Sequence, residues 1–141
     1  MRHIVPIAVL AGLLAGCATS TANPPQRTAE AQQQLDRYLA GKVAGEPRSC
    51  LPLYTRNNMV VVDDNTILFR DGSNRVWRND PPGGCSPLGR PGYTMVIRTV
   101  GGTGLCRGEI VQVVDLVSGF NGGSCSLGDF VPYTGPSRRR G

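Results

Sequence analysis

Met59-Val60-Val61-Val62-Asp63-Asp64-Asn65-Thr66-Ile67-Leu68-Phe69-Arg70 is two apolar runs parted by a polar pair. β-Branched and aromatic side chains suit a pleated, half-buried surface, so each run reads as a strand. Asp64-Asn65 between them predicts a two-residue hairpin turn. The alternative is one long strand bulged at the two aspartates. Either way the region is β. Moving outward, Asp71-Gly72-Ser73 predicts a second turn and Arg75-Val76-Trp77-Arg78 a returning strand. Asp80-Pro81-Pro82-Gly83-Gly84 is a loop, because two prolines and two glycines break any ladder. Upstream, Asn57-Asn58 is a turn, and Ser49–Tyr54, interrupted by Pro52, predicts a short strand at a sheet edge.

The second half repeats this style. Tyr93–Val100 predicts a strand with Met95 and Ile97 on one face and Thr94, Val96 and Arg98 on the other. Gly101-Gly102-Thr103-Gly104 breaks it, and Glu109–Val117 is the strongest strand of all, being rich in valine and isoleucine. Gly119–Gly123 reads as a turn and Cys125–Tyr133 as a last short strand. With 19 glycines, 11 prolines and 6% aromatics, the chain is mainly β. The expected fold is a small barrel or sandwich of six or seven short antiparallel strands. One short helix precedes them: Thr28 is a natural N-cap for Ala29–Ala40, and Gly41 is the stop. Ala31, Leu35, Tyr38 and Leu39 form a narrow apolar stripe that packs on the domain or stands off from it, a partner-binding helix being the alternative.

The N-terminus carries a different signal. Basic Met1-Arg2-His3 is followed by a short, mostly apolar run, Ile4–Leu14, too short to remain as a membrane span. It ends in Leu14-Ala15-Gly16-Cys17, which resembles the lipobox of bacterial lipoproteins. That resemblance implies a signal peptide over residues 1–16, cleavage after Gly16, and acyl chains on Cys17. Residues 17–27, small and polar with Pro24-Pro25, then read as a lipidated tether. Residues 28–134 are the helix and β domain, and 135–141 a basic disordered tail. Arg138-Arg139-Arg140 in that tail could meet anionic headgroups, but a frayed solubilising end is the preferred reading.

Five cysteines are an odd count for an exported chain. With Cys17 given to lipid, four remain, which in an oxidising compartment read as two disulfides. Four cysteines allow three connectivities. Cys85–Cys106 with Cys50–Cys125 is the preferred pairing: the first would clip both ends of the Tyr93–Val100 strand, the second would tie the first strand to the last. Zinc fits poorly, since there is no close Cys-x-x-Cys pair and the only histidine, His3, lies in the leader.

Catalytic inventory is thin, and no catalytic, cofactor-binding or metal-ligating residue is assigned. Nucleophilic catalysis needs a base in reach; with no histidine beyond the leader, only Lys42 could serve a serine. Asp63, Asp64, Asp71, Asp80, Glu109, Asp115 and Asp129 could in principle supply a glycosidase pair. Adjacent Asp63 and Asp64 point to opposite faces of a strand, however, and aspartates at strand ends commonly bond the backbone of turns. For sugar stacking there are only Trp77 and a few tyrosines. Asp63-Asp64-Asn65 lacks the glycine and terminal glutamate of a calcium loop. Gly101–Gly104 has no following Lys-Ser/Thr and is not a phosphate cradle. The net charge of +5, from 14 arginines and one lysine against 10 acids, reads as a solvated basic surface. Nucleic acid is an unsuitable partner in the expected compartment.

Cys50-Leu51-Pro52-Leu53, Asp64-Asn65-Thr66-Ile67-Leu68-Phe69, Cys85-Ser86-Pro87-Leu88, Leu105-Cys106-Arg107-Gly108-Glu109-Ile110 and Cys125-Ser126-Leu127-Gly128-Asp129-Phe130 together resemble a family of small, uncharacterised proteobacterial lipoproteins of the sphingomonad type. The resemblance covers about Tyr38 to Tyr133. It implies a β-rich domain with two bridges and carries no activity; relatives retaining only the cysteines matching Cys85 and Cys106 agree with the preferred pairing. Ala18 stands where an inner-membrane retention signal would place aspartate, so resemblance to sorted lipoproteins implies the outer membrane, facing the periplasm. The expectation is a non-enzymatic envelope protein with a binding or structural role, anchored by Cys17 and open to an envelope protein partner. The alternative is a small β inhibitor of lysozyme or another secreted hydrolase, using a loop such as Ser118-Gly119-Phe120.

Overall fold

Asp64 and Asn65 do turn the chain. Strands β2 (Met59–Asp63) and β3 (Thr66–Asp71) pair as an antiparallel hairpin, with Val60 opposite Leu68 and a register irregularity between Val61 and Asp63. The hairpin is formed and the single long strand is not; the register irregularity lies within β2, just before the turn. The computed structural model describes residues 26–98 and 104–136. The remaining strands are β1 (Val43–Ala44), β4 (Arg75–Asn79), β5 (Tyr93–Val96), β6 (Ile110–Asp115), β7 (Asn121–Ser126) and β8 (Phe130–Thr134), preceded by helix α1 (Ala29–Leu39). A five-stranded sheet has the order β1-β8-β4-β3-β2, and a three-stranded sheet the order β5-β6-β7. All named pairs are antiparallel. The two sheets are not closed into a barrel, so the architecture is a small sandwich-like one.

Strand β3 explains the layering. Ile67, Leu68 and Phe69 are all fully buried, which a strand achieves only when both faces of its sheet are covered. On one face Leu68 joins Val62 and Val76 beneath Ala31 and Leu35 of α1. The predicted stripe is therefore spent on the domain. Thr28 caps the helix through its hydroxyl, which accepts from the Ala31 N–H, and Lys42 donates to the Tyr38 carbonyl at the other end. The opposite face presents Ile67, Phe69, Trp77 and Phe130 to Met95, Val111, Val113 and Cys125 of the smaller sheet. The strand expected over Tyr93–Val100 is shorter: β5 ends at Val96, with Met95 buried, and Ile97 and Arg98 lie beyond it.

Several expectations need correction. Ser49–Tyr54 is not a regular edge strand: Arg48 and Cys50 make isolated bridges to Phe130 and Cys106, and Leu53–Thr55 is a 3-10 turn. Gly119–Gly123 is not all turn, because Asn121 opens β7. Cys125–Tyr133 is two strands in different sheets rather than one. The crossing between them is held by Asn79, fully buried at the end of β4. Its side-chain amide donates to the Gly128 carbonyl at 2.8 Å and accepts from the Gly128 N–H at 3.0 Å. A Cβ at Gly128 would lie 2.5 Å from the Asp80 carbonyl oxygen, so the crossing demands glycine there.

The disulfide pairing also differs from the preferred one. The bridges are Cys50–Cys106 and Cys85–Cys125, not Cys85–Cys106 and Cys50–Cys125. Cys50 and Cys106 face each other across a local antiparallel bridge, flanked by Leu51 N–H to Leu105 carbonyl and Arg107 N–H to Ser49 carbonyl bonds. Cys85 and Cys125 instead meet inside the main core. Cys125 belongs not to the last strand, beside the first, but to β7 in the other sheet.

Cys17, the 1–16 leader, most of the 17–27 tether, Gly101-Gly102-Thr103 and the Arg138-Arg139-Arg140 tail lie outside the described residues. Before that tail, Gly135 and Pro136 are fastened by Asn74, whose side chain donates to both carbonyls.

Candidate functional site

Seven acids were candidates for chemistry, and each is engaged by neighbouring structure. Asp63 accepts from Arg27 and from the Asn65 N–H, while Asp64 accepts from the Gly89 N–H at 2.6 Å. Asp71 accepts from the Trp77 indole at 3.2 Å, and Arg75 lies at 3.4 Å. Asp80 pairs with Arg78 and takes the Thr66 hydroxyl hydrogen bond. Burial works against the Arg78 charge, but hydrogen bonding and charge from Asp80, together with those from Tyr133, outweigh it and hold the guanidinium pKa above its usual value. Glu109 accepts from the Cys106 N–H, and Asp129 pairs with Arg107. These are the turn and ion-pair roles that aspartates commonly take at strand ends. Trp77 is buried in the core and offers no stacking platform. Beside it a cleft of about 260 Å³ is lined by Arg48, Pro52, Tyr54, Arg75, Pro132 and Thr134 as well as the indole edge.

Two other features stand out, and both lie toward one end of the sheets. The first is the stem. Arg27, just before α1, donates to Asp63 and to the Thr66 hydroxyl, so the chain enters the domain pinned against the β2–β3 turn. Asp64 at that turn also fixes the next loop, accepting from Gly89 through its side chain and from Cys85 through its carbonyl. Gln26, Arg27, Asp63, Gly89 and Arg90 share one shallow cleft there.

The second is the β6–β7 tip. Leu116, Val117 and Phe120 are 67%, 92% and 77% exposed. Side chains of this kind normally enter a core, so three together on one hairpin end form an unusual surface. The loop presenting them is braced. The Asp115 carboxylate accepts from the Val117 N–H at 2.7 Å and the Ser118 N–H at 3.3 Å, and the Gly119 N–H bonds the Asp115 carbonyl. Gly119 has φ 72°, a left-handed conformation that closes the turn without the strain a Cβ would bring. The Ser118 hydroxyl accepts from Phe120, and the Leu116 N–H bonds the Gly92 carbonyl at 2.8 Å.

Those two amide donors lower the Asp115 pKa below 3.8, since they favour the charged carboxylate. A depressed carboxyl pKa stabilises the brace above the ordinary carboxylate range and releases it as pH falls through the folded value. Amide-exchange protection at Val117 and Ser118 should therefore hold at neutral pH and fall in strong acid. Asp115→Ala should remove it at every pH, while protection along β5–β6 persists in both cases. Unchanged protection in the variant would show that the turn does not depend on this carboxylate.

Ser118-Gly119-Phe120 is the exposed loop that the sequence predicts, whereas Leu116 and Val117, expected in the preceding strand, lie beyond the end of β6 at Asp115 and belong to the tip. The signal was available in the Asp115-to-Gly119 spacing, which suits a side chain capping its own turn. The Arg27 clamp had no comparable signal, because its partners are 36 and 39 residues away. No family model, curated protein or solved structure matches this chain.

Proposed function

We propose that this chain is a lipoprotein of the outer membrane, anchored by acyl chains on Cys17 and facing the periplasm, whose β domain is a non-enzymatic binding or structural module. The observation that carries the reading is the use of the cysteines. Cys50, Cys85, Cys106 and Cys125 are consumed by two bridges, which suits an oxidising compartment and leaves Cys17 as the odd one, directly after Leu14-Ala15-Gly16. The resemblance to small proteobacterial lipoproteins supports the same reading. So does the engagement of every candidate acid in turns and ion pairs, which favours a binding role over catalysis. Three acyl chains would make the attachment stable, where one would hold only marginally.

Palmitate labelling of the full chain in a Gram-negative host tests this. Label should enter the wild type and be absent from Cys17→Ser, and globomycin should accumulate an uncleaved precursor. Normal maturation under globomycin, or label retained in Cys17→Ser, would overturn the anchor. Mature protein recovered with inner membranes would overturn its sorting. A second reading, an inhibitor of lysozyme or another secreted hydrolase, is favoured by one specific observation: the braced tip offers an exposed Phe120 on a preorganised turn, as a cleft-filling loop requires.

A further inference from the structure

We infer that the β6–β7 tip is a second membrane contact, with Leu116, Val117 and Phe120 seated in the interfacial zone of the bilayer that holds the Cys17 acyl chains. The inference rests on the anchor reading above, and its argument is one of position. The described chain starts beside the β2–β3 turn, where Arg27 is clamped to Asp63. Asp64 of that turn holds Gly89, and Gly92, three residues further on, holds Leu116 at the base of the tip. Three residues span at most about 11 Å. The start of β7 is seated against the strand that follows this loop: a Cβ at Gly122 would lie 2.9 Å from the ring of Tyr93, the first residue of β5. Stem and tip are therefore neighbours at one end of the domain.

Only Ala18–Pro25 separates Cys17 from the described chain, eight residues that reach at most about 29 Å when fully extended. A leash of that length keeps the stem end of the domain toward the bilayer, and with it the apolar tip. The chemistry of the tip suits that occupant. Leu116-Val117-Ser118-Gly119-Phe120 is uncharged, and the Asp115 carboxylate is turned back onto the loop amides. Exposed Arg90 in the adjoining loop supplies a cation for lipid phosphate. Leucine, valine and phenylalanine beside arginine are the side chains of interfacial binding, and the brace presents them already ordered.

The test uses the full chain, processed in a Gram-negative host and reconstituted into phosphatidylethanolamine–phosphatidylglycerol vesicles with brominated acyl chains. Phe120→Trp, or Val117→Trp as a second variant, puts an indole at the tip, and Tyr54→Trp puts one near the β3–β4 turn, away from the stem. Mass spectrometry reports whether Cys17 carries acyl chains. Bromolipid should quench the tip variants at least twofold more than Tyr54→Trp or the wild type, whose Trp77 is buried. Equal quenching in acylated protein would overturn the membrane contact and leave the anchor standing. Missing acyl chains would overturn the anchor, and tip quenching on added vesicles would then still support the contact, whereas none would end both. Absent quenching together with lysozyme inhibition abolished by Phe120→Ala would assign the tip to a hydrolase cleft instead. Absent quenching with tip-to-tip crosslinks would assign it to a second copy.

Discussion

Replacing Cys85 and Cys125 together by serine should leave the domain about 5 kcal/mol less stable, and replacing Cys50 and Cys106 about 4 kcal/mol less stable. The common part is loop closure. The bridges span 40 and 56 residues, and opening a loop of either length gives the unfolded chain about 4 kcal/mol of conformational entropy. The difference lies in what replaces the sulfurs. Cys50 is exposed and Cys106 half-buried, so serine hydroxyls there find water. Cys85 and Cys125 are 1% and 8% exposed among core residues, and a hydroxyl buried there without a partner costs a further 1 kcal/mol or more. For a domain of this size either loss is a large share of the total, and a fall in Tm of about 20 °C is expected. Urea and thermal unfolding followed by circular dichroism measure both. Non-reducing peptide maps should join Cys50 to Cys106 and Cys85 to Cys125. Equal losses for the two pairs would mean that the Cys85–Cys125 site is wetter than its burial indicates.

The strands that were legible in the sequence are those whose side chains carry the signal. Met59–Asp63, Thr66–Asp71 and Arg75–Asn79 are rich in valine, isoleucine and aromatic residues with polar turns between them, and local chemistry defines them. Helix α1 was equally plain from Thr28, the Ala31–Leu35 spacing and Gly41. β7 was not, because its Asn121-Gly122-Gly123 start has the composition of a turn. At Gly122 the Tyr93 ring and Pro87 occupy the space a Cβ would need, a requirement set by a distant segment rather than by local sequence. The disulfide error has the same origin. Cysteine pairing follows which sheet a strand joins, and the passage of the chain from β7 to β8 depends on Asn79, 49 residues before Gly128. Of the candidate site, the exposed Phe120 loop was visible in the sequence. Its neighbourhood with the Arg27 stem was not, since it arises only through Asp64, Gly89 and Gly92 in three dimensions.

Asn79→Asp should be among the most damaging single-atom changes available to this domain, at about 4–5 kcal/mol near neutral pH. Asn79 is fully buried, and both ends of its amide are used. The oxygen accepts from the Gly128 N–H, and the nitrogen donates to the Gly128 carbonyl at 2.8 Å and the Asp129 carbonyl at 3.3 Å. A carboxylate keeps the first bond but turns an oxygen on two carbonyls, and its charge sits where no cation compensates it in the present bonding. Both effects favour the protonated acid, so the folded pKa of the new carboxyl must lie above its unfolded value of about 3.9. Between those two values the folded variant holds a proton that the unfolded chain has released, so its stability falls as pH rises through the window. Below it, the protonated acid again donates to the Gly128 carbonyl and much of the deficit returns. Asn79→Ala supplies the reference, because it leaves the Gly128 groups unpartnered at a cost of about 2–4 kcal/mol that does not depend on pH. Urea unfolding at pH 3.5 and pH 7 should therefore find the aspartate variant at least as stable as the alanine variant in acid and clearly less stable at neutrality. A gap between the two variants that is the same at both pH values would mean that the β7–β8 crossing opens to water around residue 79. In that event the buried amide would be a local clasp rather than the joint on which the passage between the two sheets depends.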